Sequence, residues 1–382
     1  MSRAVSAARF RLSIPCRQGC GNSSARGTRR STTTPRARLR DRSMKTGPNR
    51  AALPACLAAV AALAAFACSP EMDPGAEPSS AGTISYEEIV AQYADPDSRF
   101  VVLEGNDGIN VHYKDEGSGP AVLLVHSSTG DLKDYDVWVD ILSADYRVVR
   151  LDLPAFGLTG PVPSGNYSID RFMTLVDSLM DHAGIERFAI AGASYGGLVA
   201  FRYAGTRTDR VTALILLNSA GIEYGGRGGT TERVRDPSAA FVPKRYTTEE
   251  MGVNLRYSVN EHGNITQELI RRKTDYWNVI GRDREGFIAT QMYERGNPER
   301  VLARVRAPAL VMWGGDSRAL SPETAQAFVD AMKNAASTEK IIFDGGGHFL
   351  HISRPEATGR AVKAFLDREI GSPATNQEKQ HE

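Results

Sequence analysis

The stretch Phe188-Ala189-Ile190-Ala191-Gly192-Ala193-Ser194-Tyr195-Gly196-Gly197-Leu198-Val199-Ala200-Phe201 decides how the rest of the chain is read. Small and apolar residues lead into Gly192–Gly196, and a second apolar run with helical spacing leaves it. The pattern reads as strand, abrupt turn and helix, with Ser194 at the apex. A serine on such a turn has its hydroxyl held clear of the sheet. The glycines two residues to either side leave room for a strained backbone and for close helix packing. A bare G-x-S-x-G recurs by chance, so the run before it and the run after it carry the weight.

Working outward, Ala121–Val125, Arg147–Leu151, Val211–Leu217, Ala309–Trp313 and Lys340–Phe343 repeat the continuous apolar habit of Phe188–Ala191, as strands covered on both faces should. Ahead of them Phe100–Glu104 and Ile109–Lys114 alternate around Asn106-Asp107-Gly108, a hairpin signal. A short helix is expected over Tyr86–Tyr93. Longer helical patterns fall at Asp134–Leu142, Ile169–Ala183, Tyr195–Ala204, Pro322–Lys333 and Pro355–Glu369. Strands alternating with such helices imply an α/β class fold, a mostly parallel, doubly wound sheet of about eight strands.

One interval breaks the alternation. Between Asn218 and Pro308 no strong strand signal appears; Gly225–Gly229 and Pro237–Pro243 read as loops, and Thr247–Tyr257, Ile265–Tyr276 and Arg284–Tyr293 as helices. An insertion of this length between core strands is expected to form a functional lid. The core is therefore placed at 86–220 and 305–370, a helical cap at 221–304, and a polar tail at 371–382.

Composition excludes several function classes. The 382 residues are 41% hydrophobic and 24% charged, as in a soluble globular protein. The formal net charge of +1 conceals eleven arginines against the single acid Asp41 in the first 43 residues. The remainder is acidic, so the folded part has no basic footprint for nucleic acid. All four cysteines, Cys16, Cys20, Cys56 and Cys68, lie in the first 68 residues, which leaves the folded part without a disulfide framework or a cysteine metal site. G-x-G-x-x-G is absent from the first strand-to-helix turn, and no ligand spacing suggests a metal, so neither a cofactor nor a metal is expected.

The start of the chain reads as targeting sequence. Residues 1–43 are basic and without sustained periodicity, and are taken as disordered or untranslated. Met44–Arg50 is a short basic run followed by the apolar Ala51–Ala67, the layout of a secretory signal over 44–67. Ala65-Phe66-Ala67-Cys68 resembles the lipobox of bacterial lipoproteins, which implies lipidation at Cys68 and a place in the cell envelope; plain secretion is the alternative. Residues 68–85, rich in Pro, Ser and Gly, read as a flexible tether. Any membrane contact is expected only through that lipid.

A nucleophilic serine needs a base within hydrogen-bond reach and a third group to orient the base. Of the histidines His112, His126, His182, His262, His348 and His351, the strongest candidate is His348, because Gly345-Gly346-Gly347 delivers it from the end of a strand, where ligands bind in parallel sheets. His351 is the fallback. For the orienting acid, Trp313-Gly314-Gly315-Asp316 repeats the logic of strand, glycine turn and functional side chain. The competing position after Val211–Leu217 offers Asn218 and Ser219 but no carboxylate before Glu223.

With these pieces in place the chain, from about Phe100 to Glu369, resembles a capped α/β-hydrolase of the ester-hydrolase-like group. The order Ser194, Asp316, His348 is that family's order. Leu124-Val125-His126, Leu151-Asp152-Leu153-Pro154-Ala155-Phe156-Gly157 and Gly347-His348 match as well. The resemblance implies an oxyanion hole from the backbone N–H groups of Ser128 and Tyr195, supported by His126 and Ser127. The family commonly has His-Gly where this chain has His126-Ser127. A serine nucleophile sets the chain apart from haloalkane dehalogenases and epoxide hydrolases, which use aspartate there. The implied activity is acyl transfer to water on a small ester-like substrate, carboxylic esters first. Lactones, amides and the carbon–carbon bonds of vinylogous diketones are alternatives, as is a catalytically silent ligand-binding relative. Tyr257, Tyr276, Trp277, Phe287 and Tyr293 of the cap are candidates for pocket walls.

Overall fold

The structure, a computed structural model, describes residues 81–103, 105–222, 241–291 and 297–371, all within the compact unit Asp73–Glu382. Residues 1–43, the stretch 44–67 expected as a signal, Cys68 with most of the expected tether, Gly225–Gly229, Tyr293 and residues 372–382 lie outside the described residues.

Eight strands form one sheet: β1 (Arg99–Val102), β2 (Asn110–Glu116), β3 (Ala121–Val125), β4 (Arg147–Leu151), β5 (Phe188–Ala193), β6 (Val211–Leu217), β7 (Ala309–Gly314) and β8 (Thr338–Phe343). Their order is β1-β2-β4-β3-β5-β6-β7-β8. The β1–β2 and β2–β4 pairs are antiparallel, and every later pair is parallel. The mostly parallel, doubly wound sheet expected from the apolar runs is thus the one observed.

The apolar runs are continuous because alternate residues serve opposite faces. Leu123, Val125, Ile190, Leu216 and Val311 pack with Phe172, Phe201 and Phe328 of the helices Ile169–His182, Tyr195–Thr206 and Thr324–Ala331. Val122, Leu124, Ala191, Ile215 and Met312 pack with Trp138, Val362 and Phe365 of the helices Asp136–Leu142 and Pro355–Glu369. The central strands β3, β5 and β7 are buried along their whole length, so the polar groups between them lie at their ends.

Strand order reverses at β3, whose neighbours β4 and β5 follow it on opposite sides. In parallel sheets the crevice at such a point, beyond the carboxyl ends of the strands, is where ligands bind. Register brings the loops together there: Val125 pairs with both Leu151 and Gly192, and Gly314 pairs with Phe343.

Between β6 and β7 lie the helices Thr248–Ser258, Gln267–Trp277, Arg282–Gln291 and Pro298–Leu302. Thr247 and Glu250 form a reciprocal cap at the first, and Thr266 caps the second. Met251, Leu255, Val259 and Ile270 of this insertion pack on Phe349 and Ile352 of the core.

The N-terminal end of the described chain differs from the tether expected there. Ala81 N–H bonds the Asp283 carboxylate at 3.0 Å, Thr83 N–H bonds Asn278 O at 2.7 Å, and Ile84 bridges to Val279. Ile89 then packs with Leu158, Tyr276 and Val279. Residues 81–93 therefore run as a strap across the cap.

Candidate active site

β5 ends at Ser194, which takes φ 51° and ψ −112° as the chain turns into the helix Tyr195–Thr206. For a non-glycine residue this is a sparsely populated, strained conformation. Three backbone bonds hold it: Ser194 N–H to Leu217 O at 2.9 Å, Ala220 N–H to Ser194 O at 2.9 Å, and Leu198 N–H to Ser194 O at 3.2 Å. The flanking glycines are required sterically. A Cβ on Gly192 would lie 2.2 Å from Gly196 O, and one on Gly196 would lie 2.3 Å from Val125 O.

The loop after β8 delivers His348, buried, with Nε2 3.0 Å from Ser194 Oγ. Its backbone is held from two sides. His348 N–H donates to Ser258 O of the cap at 2.8 Å, and Asn218 Nδ2 donates to His348 O at 2.6 Å. Burial pushes the imidazole down to about 4, so it is neutral at pH 7 and can accept the Ser194 proton.

Asp316 is placed differently from the expectation. It is exposed, and among the described residues its carboxylate makes no hydrogen bond or ion pair; only its backbone is engaged, N–H to Gly346 O at 2.9 Å and O from Asn260 Nδ2 at 3.5 Å. Its neighbour Ser317 is buried, with Oγ 3.5 Å from His348 Nδ1. The reason is the turn that follows β7: Ser317 N–H closes it on Gly314 O at 3.2 Å, which leaves Asp316 at its exposed tip and Ser317 on its inner side.

The loop after β3 carries His126, Ser127 and Ser128. His126 is fully buried, Leu153 N–H donates to its Nε2 at 2.8 Å, and its Nδ1 lies 2.7 Å from Ser127 O. Since Nε2 accepts, Nδ1 carries the proton and donates to Ser127 O. A turn closed by Gly130 N–H to Ser127 O at 2.8 Å follows, and the Ser128 N–H has no partner among the described residues, as an oxyanion donor requires. Tyr195 N–H opens the helix after Ser194, and the Tyr195 hydroxyl is anchored to Ala289 O of the cap at 3.1 Å.

Behind this loop Asp152 accepts from Leu132 N–H at 2.7 Å, Leu158 N–H at 2.6 Å and His112 Nδ1 at 2.7 Å. A buried ion cluster joins the same loop to the cap: Lys273 Nζ lies 2.7 Å from Asp131 and 2.6 Å from Asp134, with Arg272 beside both. Against the burial that would raise it, Arg272 and Lys273 hold the Asp131 carboxyl well below the usual range. Sequence reading missed this cluster, whose members are far apart in the chain.

A cavity of about 220 Å³ opens next to the loop, walled by Ser128, Thr129, Phe156, Phe241, Trp277 and Phe287. Of the cap aromatics considered from sequence, Trp277 and Phe287 line it. Tyr276 is buried against the strap, edge-on to Tyr93, and Tyr257 is exposed under the Arg318 guanidinium. His351 is not at the base position; it is fully buried, stacked on Tyr135, with both ring nitrogens unbonded among the described residues. No cluster of three metal-ligating side chains exists among the described residues.

A family model described as the alpha/beta hydrolase fold matches residues 120–355. The chain belongs to the α/β-hydrolase family. Within this family it is 28% identical, over 71% of its own length and 96% of the relative's, to a 2-hydroxy-6-oxononadienedioate/2-hydroxy-6-oxononatrienedioate hydrolase of Burkholderia vietnamiensis. A 2-hydroxy-6-oxo-6-(2'-aminophenyl)hexa-2,4-dienoic acid hydrolase of Metapseudomonas resinovorans is 25% identical over 68% of this chain and 89% of that one. Among solved α/β-hydrolases, a meta-cleavage product hydrolase of Pseudomonas fluorescens superposes with a TM-score of 0.59 at 20% identity, covering 71% of this chain and 97% of the other.

Proposed function

We propose that this α/β-hydrolase cleaves a carbon–carbon bond beside a ketone in a vinylogous diketone acid, with Ser194 as nucleophile and His348 as base. The observation that carries the hydrolytic part is the 3.0 Å approach of His348 Nε2 to Ser194 Oγ on a strained turn. The choice of bond rests on the relatives, which hydrolyse 2-hydroxy-6-oxo-dienoates. They favour the carbon–carbon alternative over the carboxylic ester expected first from sequence.

In this reading Ser194 Oγ adds to the ketone carbon while His348 Nε2 takes its proton, and the oxyanion is met by the N–H groups of Ser128 and Tyr195. For a 2-hydroxydienoate the enol proton first shifts to the carbon beside the ketone, giving the vinylogous diketone. Collapse of the adduct then breaks the carbon–carbon bond and releases a carbanion delocalised through the C=C onto the 2-oxo oxygen, which takes the proton from His348. Water, activated by His348, then cleaves the acyl-serine to the free enzyme and a carboxylic acid. The aromatic walls Phe156, Trp277 and Phe287 suit a flat conjugated substrate.

The test compares a 2-hydroxy-6-oxo-6-arylhexa-2,4-dienoate, followed by loss of its visible absorbance, with p-nitrophenyl esters of rising chain length, Ser194→Ala serving as the blank. Dienoate kcat/KM above that of every ester supports the reading. Ester turnover that exceeds it returns the assignment to the esterase, and rates equal to the blank on both leave a ligand-binding relative. Lipidation at Cys68 rests on sequence alone; it requires that Cys68→Ala release the protein from membranes.

A further inference from the structure

We propose that the Ser317 hydroxyl, and not a carboxylate, positions the His348 imidazole against Ser194. The proposal rests on the reading of Ser194 and His348 as nucleophile and base. Once the Ser194 O–H donates to His348 Nε2, the ring proton sits on Nδ1, and the oxygen facing Nδ1 is Ser317 Oγ at 3.5 Å. The contact is long, as catalytic hydrogen bonds often are before substrate tightens them. Among the described residues no carboxylate oxygen lies within hydrogen-bond or ion-pair distance of His348.

The two loops are built to hold this pair. Asn218, fully buried at the end of β6 with φ 40°, accepts from Gly314 N–H at 3.0 Å through Oδ1 and donates to His348 O at 2.6 Å through Nδ2. One side chain thereby fixes both the loop that carries Ser317 and the loop that carries His348. The loops also touch directly, since a Cβ on Gly314 would lie 2.1 Å from Gly347 O. Ser317 is set within its own turn by Ser317 N–H to Gly314 O at 3.2 Å and by Leu320 N–H to Ser317 Oγ at 3.4 Å.

The charged and titratable groups on the surrounding elements leave His348 to this hydroxyl. Asp316 and Asp344 are exposed on the two loops, Arg318 stacks on Tyr257, and Glu261 of the cap connection pairs with Arg354. His351 is buried and neutral at pH 7. A neutral hydroxyl sets the tautomer and the ring orientation but supplies no negative charge to an imidazolium. The base is therefore oriented without being made more basic, in keeping with the burial-lowered His348.

The test reads the rate of Ser194 labelling by a fluorophosphonate across pH 3.5–9, which needs no knowledge of the substrate. Ser317→Ala is expected to slow labelling about tenfold at pH 7, and Ser317→Thr, which keeps a hydroxyl, to restore most of it. Ser317→Asp is expected to move the acid limb of the profile upward by about one pH unit or more, an effect that a purely structural role would not produce. Asp316→Asn and Glu223→Gln, the latter outside the described residues, are expected to match wild type. Overturning results are Ser317→Ala at the wild-type rate, a Ser317→Asp profile superimposed on wild type, or a tenfold loss in either carboxylate variant. Wild-type protein that is not labelled at all overturns the nucleophile reading together with this one, whereas the other failures leave that reading standing.

Discussion

The Leu153 backbone N–H donates to Nε2 of His126 at 2.8 Å, and this bond compels the other ring nitrogen to hold Ser127 O at 2.7 Å. A fully buried histidine therefore staples the loop after β3, which carries Ser127 and Ser128, to the loop after β4. Burial pushes the His126 imidazole down, which keeps it neutral and able to accept from Leu153. His126→Leu should lower kcat about tenfold or more with a smaller change in KM, because the loop that carries Ser128 loses its position while the cap walls Phe241, Trp277 and Phe287 remain. The unbonded Leu153 N–H should cost about 1–3 kcal/mol in a denaturant titration.

Gly196 tests the other half of that contact. The first turn of the helix after Ser194 packs so closely on β3 that a Cβ at 196 would lie 2.3 Å from Val125 O and 2.4 Å from His126 O. Backbone atoms cannot move aside as a side-chain tip can. Gly196→Ala should therefore push the two loops apart and abolish fluorophosphonate labelling, with a loss of about 1–3 kcal/mol of stability from overpacking.

The pH dependence follows from two buried rings. Burial holds His348 at about 4, and burial together with the Lys273 charge holds His351 at about 3, both below the ordinary histidine value of about 6.5 in the unfolded chain. The folded state thus prefers the neutral form, so the unfolded chain binds more protons between about pH 6.5 and 4, and the stability these rings contribute above 6.5 is lost across that window. His351→Phe keeps the stack on Tyr135 and removes two unbonded polar atoms. Thermal melts should show the variant more stable than wild type at pH 8, by an increment that widens toward pH 4.5. Activity should track neutral His348 and fall only near pH 4.

Much of this was legible in the residues. Continuous apolar runs such as Val211–Leu217 report a strand covered twice, and the spacing of Gly192 and Gly196 about Ser194 reports a steric need, so both survive translation from sequence to structure. Asp316 did not, because the exit from β7 turns through two glycines and a shift of one residue exchanges the inward and outward sides. Residue type cannot reveal that shift. The small and polar residues of the strap Ala81–Ser85 have the composition of a tether, yet the strap is held through backbone atoms that composition does not report. Cap aromatics were ambiguous for a third reason: adjacent residues Tyr276 and Trp277 on one helix face the strap and the cavity respectively.

The cap is held to the loop after β3 by charge. Lys273, on the cap helix Gln267–Trp277, reaches two carboxylates of the loop, and all three side chains are buried. Asp131 also caps the turn Leu132–Tyr135 through Lys133 N–H at 2.9 Å, so the ion cluster and the local fold of the loop share one carboxylate. With Lys273→Ala, Arg272 alone faces two buried acids, at 3.2 Å and 3.4 Å. Removal of one partner from such a cluster costs about 3–5 kcal/mol, because the remaining charges stay buried without compensation. Burial already raises the Asp134 carboxyl above its ordinary value, so the variant should recover part of its stability by protonating Asp134 as the pH falls. Lys273→Ala should therefore melt well below wild type at pH 8, and the gap should narrow toward pH 5. A gap that is constant with pH would assign the lysine to packing and not to charge.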